Sequence, residues 1–166
     1  MIKLEWHLVQ SDLDRARLIS LVQVIWPEVF TPIIGQEQVA YMLKTYQDLA
    51  TIDKEIQQGA KYWLLMLDDQ AVGYTAYEDL EDYLYLSKLY LSKSVRGQGL
   101  MTEVFRRYLT LAKGKKIRLN VNKKNSQAIA IYEHWGFKKV GERSVDIGQN
   151  FIMDDDIYEK ETLPLL

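Results

Sequence analysis

The hexapeptide Arg96-Gly97-Gln98-Gly99-Leu100-Met101 sits between an apolar alternating run, LYLSKLYL (Leu84 to Leu91), and a helical pattern, LMTEVFRRYLTLAK (Leu100 to Lys113). It reads as a strand turning into a helix. The start of a helix carries N–H groups without intrahelical acceptors and about half a positive charge. Glycines just before it let an anion reach the backbone, and Arg96 adds a charged donor. The chemistry such a turn can do is to hold a phosphate. An ordinary tight strand-to-helix turn uses the same residue types, so the hexapeptide alone leaves both uses open.

Composition narrows the other chemistries. The chain has no cysteine, which removes disulfides, thiolate metal sites, CxxC redox chemistry and any cysteine nucleophile. Its two histidines, His7 and His134, are far apart in sequence. Histidine metal sites and a Ser-His-Asp triad therefore have few ways to assemble, and no metal is expected. No GxSxG occurs. GFKKVGER (Gly136 to Arg143) has P-loop glycines, but Glu142 and Arg143 stand where that loop needs Lys and Ser/Thr. Net charge is −2, unevenly spread: Lys93 to Lys124 carries +9, which leaves −11 for the rest. The basic half suits an anion and the acidic half a cation. The basic charges interleave with core positions and match no nucleic-acid module, so no nucleic-acid partner is expected.

The elements that must position the turn follow from periodicity. IKLEWHLV reads as an opening strand, and Ser11 with Asp14 resembles a capping box that starts a helix through about Trp26, with Pro27 as its stop and FTPIIG as a loop. Gln36 to Ala50 is helical in spacing, and a short helix from Thr51 ends at Gly59. KYWLLML, DDQ and AVGYTAYE read as a hairpin, DLEDY as an acidic loop, and Leu84 to Ser92 as the next strand. KIRLNVN is a strand, NSQAIAIYEHWG a helix with Asn125 as N-cap, and FKKVGERSVDI with NFIMDDDIYEKET a closing strand pair. This order predicts an α/β fold in a single domain over 1–166: a mostly antiparallel mixed sheet, flanked by helices, with a β-α-β crossover. No run of about 20 apolar residues and no signal-peptide pattern is apparent, so a cytoplasmic protein is expected, with no membrane partner.

KLYLSKSVRGQGLMTEVFRRYL followed by IRLNVNKKNSQAIAIYEHWGFKKVG resembles the GCN5-related N-acetyltransferases, the acyl-CoA-dependent GNAT superfamily. The resemblance covers Leu84 to Gly141 and is similar to small bacterial members of PaiA type. The superfamily's pyrophosphate motif, Arg/Gln-x-x-Gly-x-Gly/Ala, falls on Arg96, Gly99 and position 101, where Met101 departs from it. Asn125, Ala128, Tyr132, Glu133, Gly136 and Phe137 match a second motif.

The resemblance implies acetyl-CoA as cosubstrate, held by Arg96, Gly97, Gln98, Gly99, Leu100, Met101, Asn125 and Ala128, and an acyl-CoA N-acyltransferase fold. It implies an oxyanion donor from the backbone near Leu89, Tyr90 or Leu91, on a strand splayed from its neighbour. It makes Tyr132 the candidate general acid, since a phenol of pKa about 10 can protonate a leaving thiolate. No general base is identified from the residues; Glu78, Asp79, Glu81 and Asp82, at the end of the hairpin strand and in the loop before the central strand, are candidates to take the proton directly or through water, with Glu78 first. An amine of pKa about 10.4 arrives protonated and has to lose that proton before it attacks. With no cysteine, direct attack in a ternary complex is the expected route. The acidic EDLED and MDDD stretches suggest a small cationic amine such as a polyamine. Acetylation of protein N-termini, of the ribosomal-protein type, and non-catalytic acyl-CoA sensing are the alternatives. Closing strands in the superfamily often pair across a dimer, which leaves a homodimer open.

Overall fold

Apolar alternation and helical spacing resolve into seven strands and five α-helices in the computed structural model, which describes residues 3–162. In chain order they are β1 (Glu5–Leu8), α1 (Asp12–Ile34), α2 (Gln36–Thr45), α3 (Leu49–Gln57), β2 (Lys61–Leu67), β3 (Gln70–Asp79), β4 (Tyr83–Leu91), α4 (Leu100–Ala112), β5 (Lys116–Asn122), α5 (Ser126–His134), β6 (Lys138–Gly148) and β7 (Phe151–Lys160). One sheet runs β1-β2-β3-β4-β5-β7-β6. Every neighbouring pair is antiparallel except β4 and β5, which α4 connects as a crossover. The β2–β3 hairpin turns on Asp68 and Asp69, both at positive φ (50° and 66°), the backbone that a two-residue hairpin needs to match strand twist.

The sheet is covered on both faces. On one, α4 buries Leu100, Val104, Phe105, Tyr108 and Ala112 against Leu84, Leu86, Leu89, Leu91, Ile117 and Leu119. Tyr108 reaches into the sheet, its hydroxyl 2.6 Å from Thr75 Oγ1, which donates to Lys88 O at 2.6 Å. On the other face, Leu18, Val22, Ile25 and Trp26 of α1 and Ile52 of α3 pack on Tyr62, Leu64, Tyr74 and Ala76.

Pro27 does not stop α1. The helix runs on through Pro27 and Pro32 to Gly35, whose φ of 87° ends it. A proline inside a helix costs about 3 kcal/mol through its missing N–H and its ring. Packing offsets that here: Phe30, in the turn after Pro27, lies 4.3 Å from the Trp26 ring and 5.9 Å from Tyr90. The expected loop FTPIIG is thus helical. The expected helix over Gln36 to Ala50 breaks after Thr45, where Tyr46 turns to donate to Ile147 O at 2.8 Å beside Tyr41, which donates to the same oxygen at 2.6 Å. By length and apolar composition alone α1 does meet the measure of a membrane span, contrary to the sequence reading. Its buried stripe is the face on the sheet.

Asp14 ties β1 to α1. Its Oδ2 accepts from the N–H groups of Gln10 and Ser11 at 3.0 Å each, and its Oδ1 lies 2.8 Å from His7 Nε2. Ser11 Oγ accepts from Asp14 N at 3.1 Å, completing the capping box. The Ser11 N–H above all, with Gln10 and His7, holds this carboxyl well below the usual carboxylate range. Its stabilisation is therefore full above the unfolded pKa of about 4 and is lost as pH falls below that. Asp14→Ala is expected to cost about 1–3 kcal/mol at neutral pH, because two N–H groups lose their acceptor. Denaturant unfolding of wild type and variant should show that gap at neutral pH and a smaller one in acid.

Candidate active site

β4 and β5 lie side by side only where Tyr83, Leu84 and Tyr85 pair with Lys116, Ile117 and Arg118. β4 continues to Leu91 and β5 to Asn122 with no further register between them. One side of β4 is thereby left without a strand partner. On its other side β4 stays paired with β3, from Ala76 opposite Lys88 to Gly73 opposite Leu91. Ser92 N donates to Val72 O at 2.7 Å. Alternation along an antiparallel strand then turns the Tyr90 N–H toward β3, and those of Leu89 and Leu91 into the gap. Of the three backbone donors named from sequence, Leu89 and Leu91 are free to meet a developing oxyanion, and Tyr90 is not.

The glycine turn lies just beyond the open end of β4. Gly97 and Gly99 have φ of 80° and 79°, a backbone that residues with a Cβ rarely adopt. A Cβ placed on either would meet nothing within 4 Å, so the turn opens outward rather than packing. The N–H groups of Gly97, Gln98, Gly99, Leu100 and Met101 find no acceptor among the described residues. Together they form a cradle at the start of α4 that fits a pyrophosphate. Arg96 is tethered beside it: its Nε donates to Leu91 O at 3.0 Å and its guanidinium lies 3.6 Å from Glu28. Met101, the departure from the motif, is half-buried against the α4 core, and its backbone N–H remains available.

Aromatic packing fixes α5 against α4. Phe105 stacks on Trp135 with centroids 4.3 Å apart and planes at 6°. Tyr132 sits edge-on to Trp135 (6.0 Å) and Phe137 (5.5 Å). Its hydroxyl has no hydrogen-bond partner among the described residues, and burial pushes its pKa up to about 12. The phenol is thus a weaker acid than its ordinary value suggests. Asn125 acts as N-cap, its Oδ1 accepting from Ala128 N at 3.3 Å, which leaves its amide N–H groups for a ligand. His134 is exposed.

On the opposite face, under α1 to α3, lies a polar cluster. The register shift that skips Ser87, between Leu86 opposite Tyr77 and Lys88 opposite Ala76, puts Tyr85 on this face together with Lys88 and Tyr90 of β4; Tyr62 and Glu78 join them from β2 and β3, and Glu55 from α3. Tyr62 donates to Glu55 at 2.5 Å, and Tyr85 OH accepts from Asn120 Nδ2 at 3.3 Å. Tyr90 lies 5.4 Å from Tyr74. Among the described residues Lys88 has no carboxylate within 4 Å, and burial lowers its pKa against the raising pull of Glu55 and Glu78. Glu78 faces this cluster from a register position opposite Tyr85, at the closed end of the β4–β5 gap. Asp79 instead pairs with Lys115 at 2.8 Å, and Glu81 and Asp82 are exposed in the loop. Lys88 and Asp155 were not singled out from sequence. Asp155 lay inside the MDDD run, and its phase with Phe151 and Met153 was the signal that could have found it.

The splayed central strand above a glycine cradle defines an acyl-CoA transferase architecture, and comparison with known proteins agrees. The family model described as an acetyltransferase (GNAT) domain matches residues 30–153. The chain belongs to the GNAT acetyltransferase family, whose cosubstrate is acetyl-CoA. It is 34% identical over 101 residues to the peptidyl-lysine N-acetyltransferase YjaB of Salmonella typhimurium; the match covers 60% of this chain and 66% of that protein, just under two thirds of its length. In fold it is similar to the PaiA N-acetyltransferase of Thermoplasma acidophilum, solved in complex with coenzyme A, with TM-score 0.76, 19% identity and coverage of 97% and 99% of the two chains. An acetyltransferase from Thermus thermophilus superposes with TM-score 0.72 at 21% identity, covering 96% and 97%.

Proposed function

We propose that this chain moves an acetyl group from acetyl-CoA to a primary amine by direct attack in a ternary complex, and that the acceptor is a small cationic amine of polyamine type. The observation that carries the reading is the gap between β4 and β5, with the free N–H groups of Leu89 and Leu91 on its edge and the glycine cradle at its mouth. The cofactor's pyrophosphate would lie on Gly97 to Met101 with Arg96 beside it, and its pantetheine arm along β4. Bound there, acetyl-CoA supplies the thioester. The Leu89 and Leu91 N–H groups would steady the carbonyl oxygen as it gains charge. Tyr132 would return a proton to the sulfur side, and a carboxylate on the α1 to α3 face would neutralise the incoming ammonium. The carboxylates Glu55, Glu78 and Asp155 on that face favour a cation. Cytoplasmic location accords with a soluble cosubstrate. A homodimer through β6 accords with its place at the sheet edge, where Val140 is 53% exposed.

A second acceptor class has an observation of its own. The Salmonella relative is named for action on peptidyl-lysine, which offers the same alkylammonium group on a larger carrier. A panel of free polyamines, amino acids and lysine-containing peptides, each offered with acetyl-CoA, separates the two. Higher kcat/KM for spermidine-like amines than for lysyl peptides is expected. The reverse ranking makes the protein a peptide acetyltransferase.

Arg96→Ala is expected to weaken CoA by about 1–3 kcal/mol, through a lost charged contact and a loosened turn. Dephospho-CoA should be affected equally, because the contact is to pyrophosphate. Calorimetric titration of both ligands into both proteins checks it.

A further inference from the structure

Asp155 is 4% exposed, yet it makes no hydrogen bond or ion pair among the described residues. Its two neighbours in sequence are engaged: Asp154 lies 3.2 Å from Lys123 Nζ, and Asp156 lies 3.2 Å from Lys139 Nζ. Its carboxyl oxygens are nevertheless not sealed from solvent, so an incoming ligand can reach them, and no other described side chain competes for them. Its position narrows the use. On β7 it stands between Asn122, the last residue of β5, and Arg143 of β6. It shares the strand phase of Met153 and Phe151, which pack with the α1 to α3 core. It therefore faces the acceptor side at the end of β5, where β4 and β5 have parted. Glu78 stands at the other, closed end.

We infer that Asp155 is the general base that takes the proton from the acceptor ammonium, directly or through one water. The inference rests on the acetyltransferase reading above. The balance is complete without any further reactant. One proton leaves the ammonium for an Asp155 oxygen and passes on to water. The neutral nitrogen donates its lone pair to the thioester carbon, and the C–S bond breaks. The second nitrogen proton leaves as the amide forms, and a proton ends on the CoA sulfur.

The surroundings suit this work. Charged and titratable groups that act on Asp155 are Arg143 from β6, Tyr85 and Tyr90 from β4, and Asp154 and Asp156 on its own strand. Burial is the main influence and raises its pKa, Arg143 opposes, and the two flanking aspartates add to the rise. A carboxylate whose pKa is raised is a better proton acceptor than a solvated one.

The test is the pH dependence of kcat/KM for wild type, Asp155→Asn, Asp155→Glu and Glu78→Gln, with CoA affinity measured alongside. Asp155→Asn is expected to keep CoA affinity, to lose about 100-fold in kcat/KM at neutral pH, and to lose the acid limb of the profile. Asp155→Glu should keep that limb at reduced rate, which holds the test open where Asn fails to fold. An acid limb unmoved in a folded Asp155→Asn, absent in Asp155→Glu, or abolished by Glu78→Gln instead, overturns the assignment while leaving the acetyltransferase reading in place. A wild type that binds CoA but turns over no amine overturns both.

Discussion

Tyr132→Phe lowers kcat about 10- to 1000-fold, the range a positioned proton donor contributes, and leaves CoA affinity near the wild-type value. Phe keeps the ring that packs edge-on to Trp135 and Phe137. It deletes only a hydroxyl that makes no hydrogen bond to another described residue, so the fold loses no bond. The loss falls on kcat rather than KM, because the proton is needed as charge develops on sulfur and not when the cofactor binds. Single-turnover rates with saturating acetyl-CoA and amine check it. A variant with wild-type rate, where chemistry is rate-limiting, makes Tyr132 a packing residue and leaves protonation to solvent.

Gly99→Asp abolishes most cofactor binding, and Gly99→Asn abolishes far less. Position 99 has φ of 79° and ψ of 4°, the left-handed region that Asn and Asp tolerate best among residues with a side chain. A Cβ there meets nothing within 4 Å. The two variants share size and backbone strain, so their difference isolates charge. A carboxylate in the cradle opposes the pyrophosphate by about 1–3 kcal/mol for a partly solvated pair a few Å apart, or about 10- to 100-fold in affinity. Equal affinities of the Asp and Asn variants for CoA would remove the anion from this turn. Both should melt near the wild-type temperature without ligand.

The turn was legible because its logic is local. Glycines at a strand-to-helix junction, an arginine before them and an amphipathic helix after them all lie within one stretch of chain. The capping box at Ser11 and Asp14 and the Asn125 cap were legible for the same reason. Pro27 misled because its local cost is offset by Phe30 packing on Trp26 and on Tyr90, the latter far away in sequence. The N–H groups of Leu89 and Leu91 could be narrowed from three candidates only once the β3–β4 register was known. Asp155 was hidden in an acidic run, where charge says nothing about which of three carboxylates lacks a partner. Strand pairing decides that: Lys123 and Lys139 reach its two neighbours and leave it alone.

Acetyl transfer itself is the central claim to test. The direct measurement is release of free thiol from acetyl-CoA by the purified wild-type protein, with and without a primary amine, alongside mass spectrometry of that amine. Thiol release is expected to depend on the amine and to be matched mole for mole by its acetylated form. Binding of CoA with no amine-dependent thiol release, across polyamines, amino acids and lysyl peptides, would contradict it and leave an acyl-CoA-binding protein without a reaction.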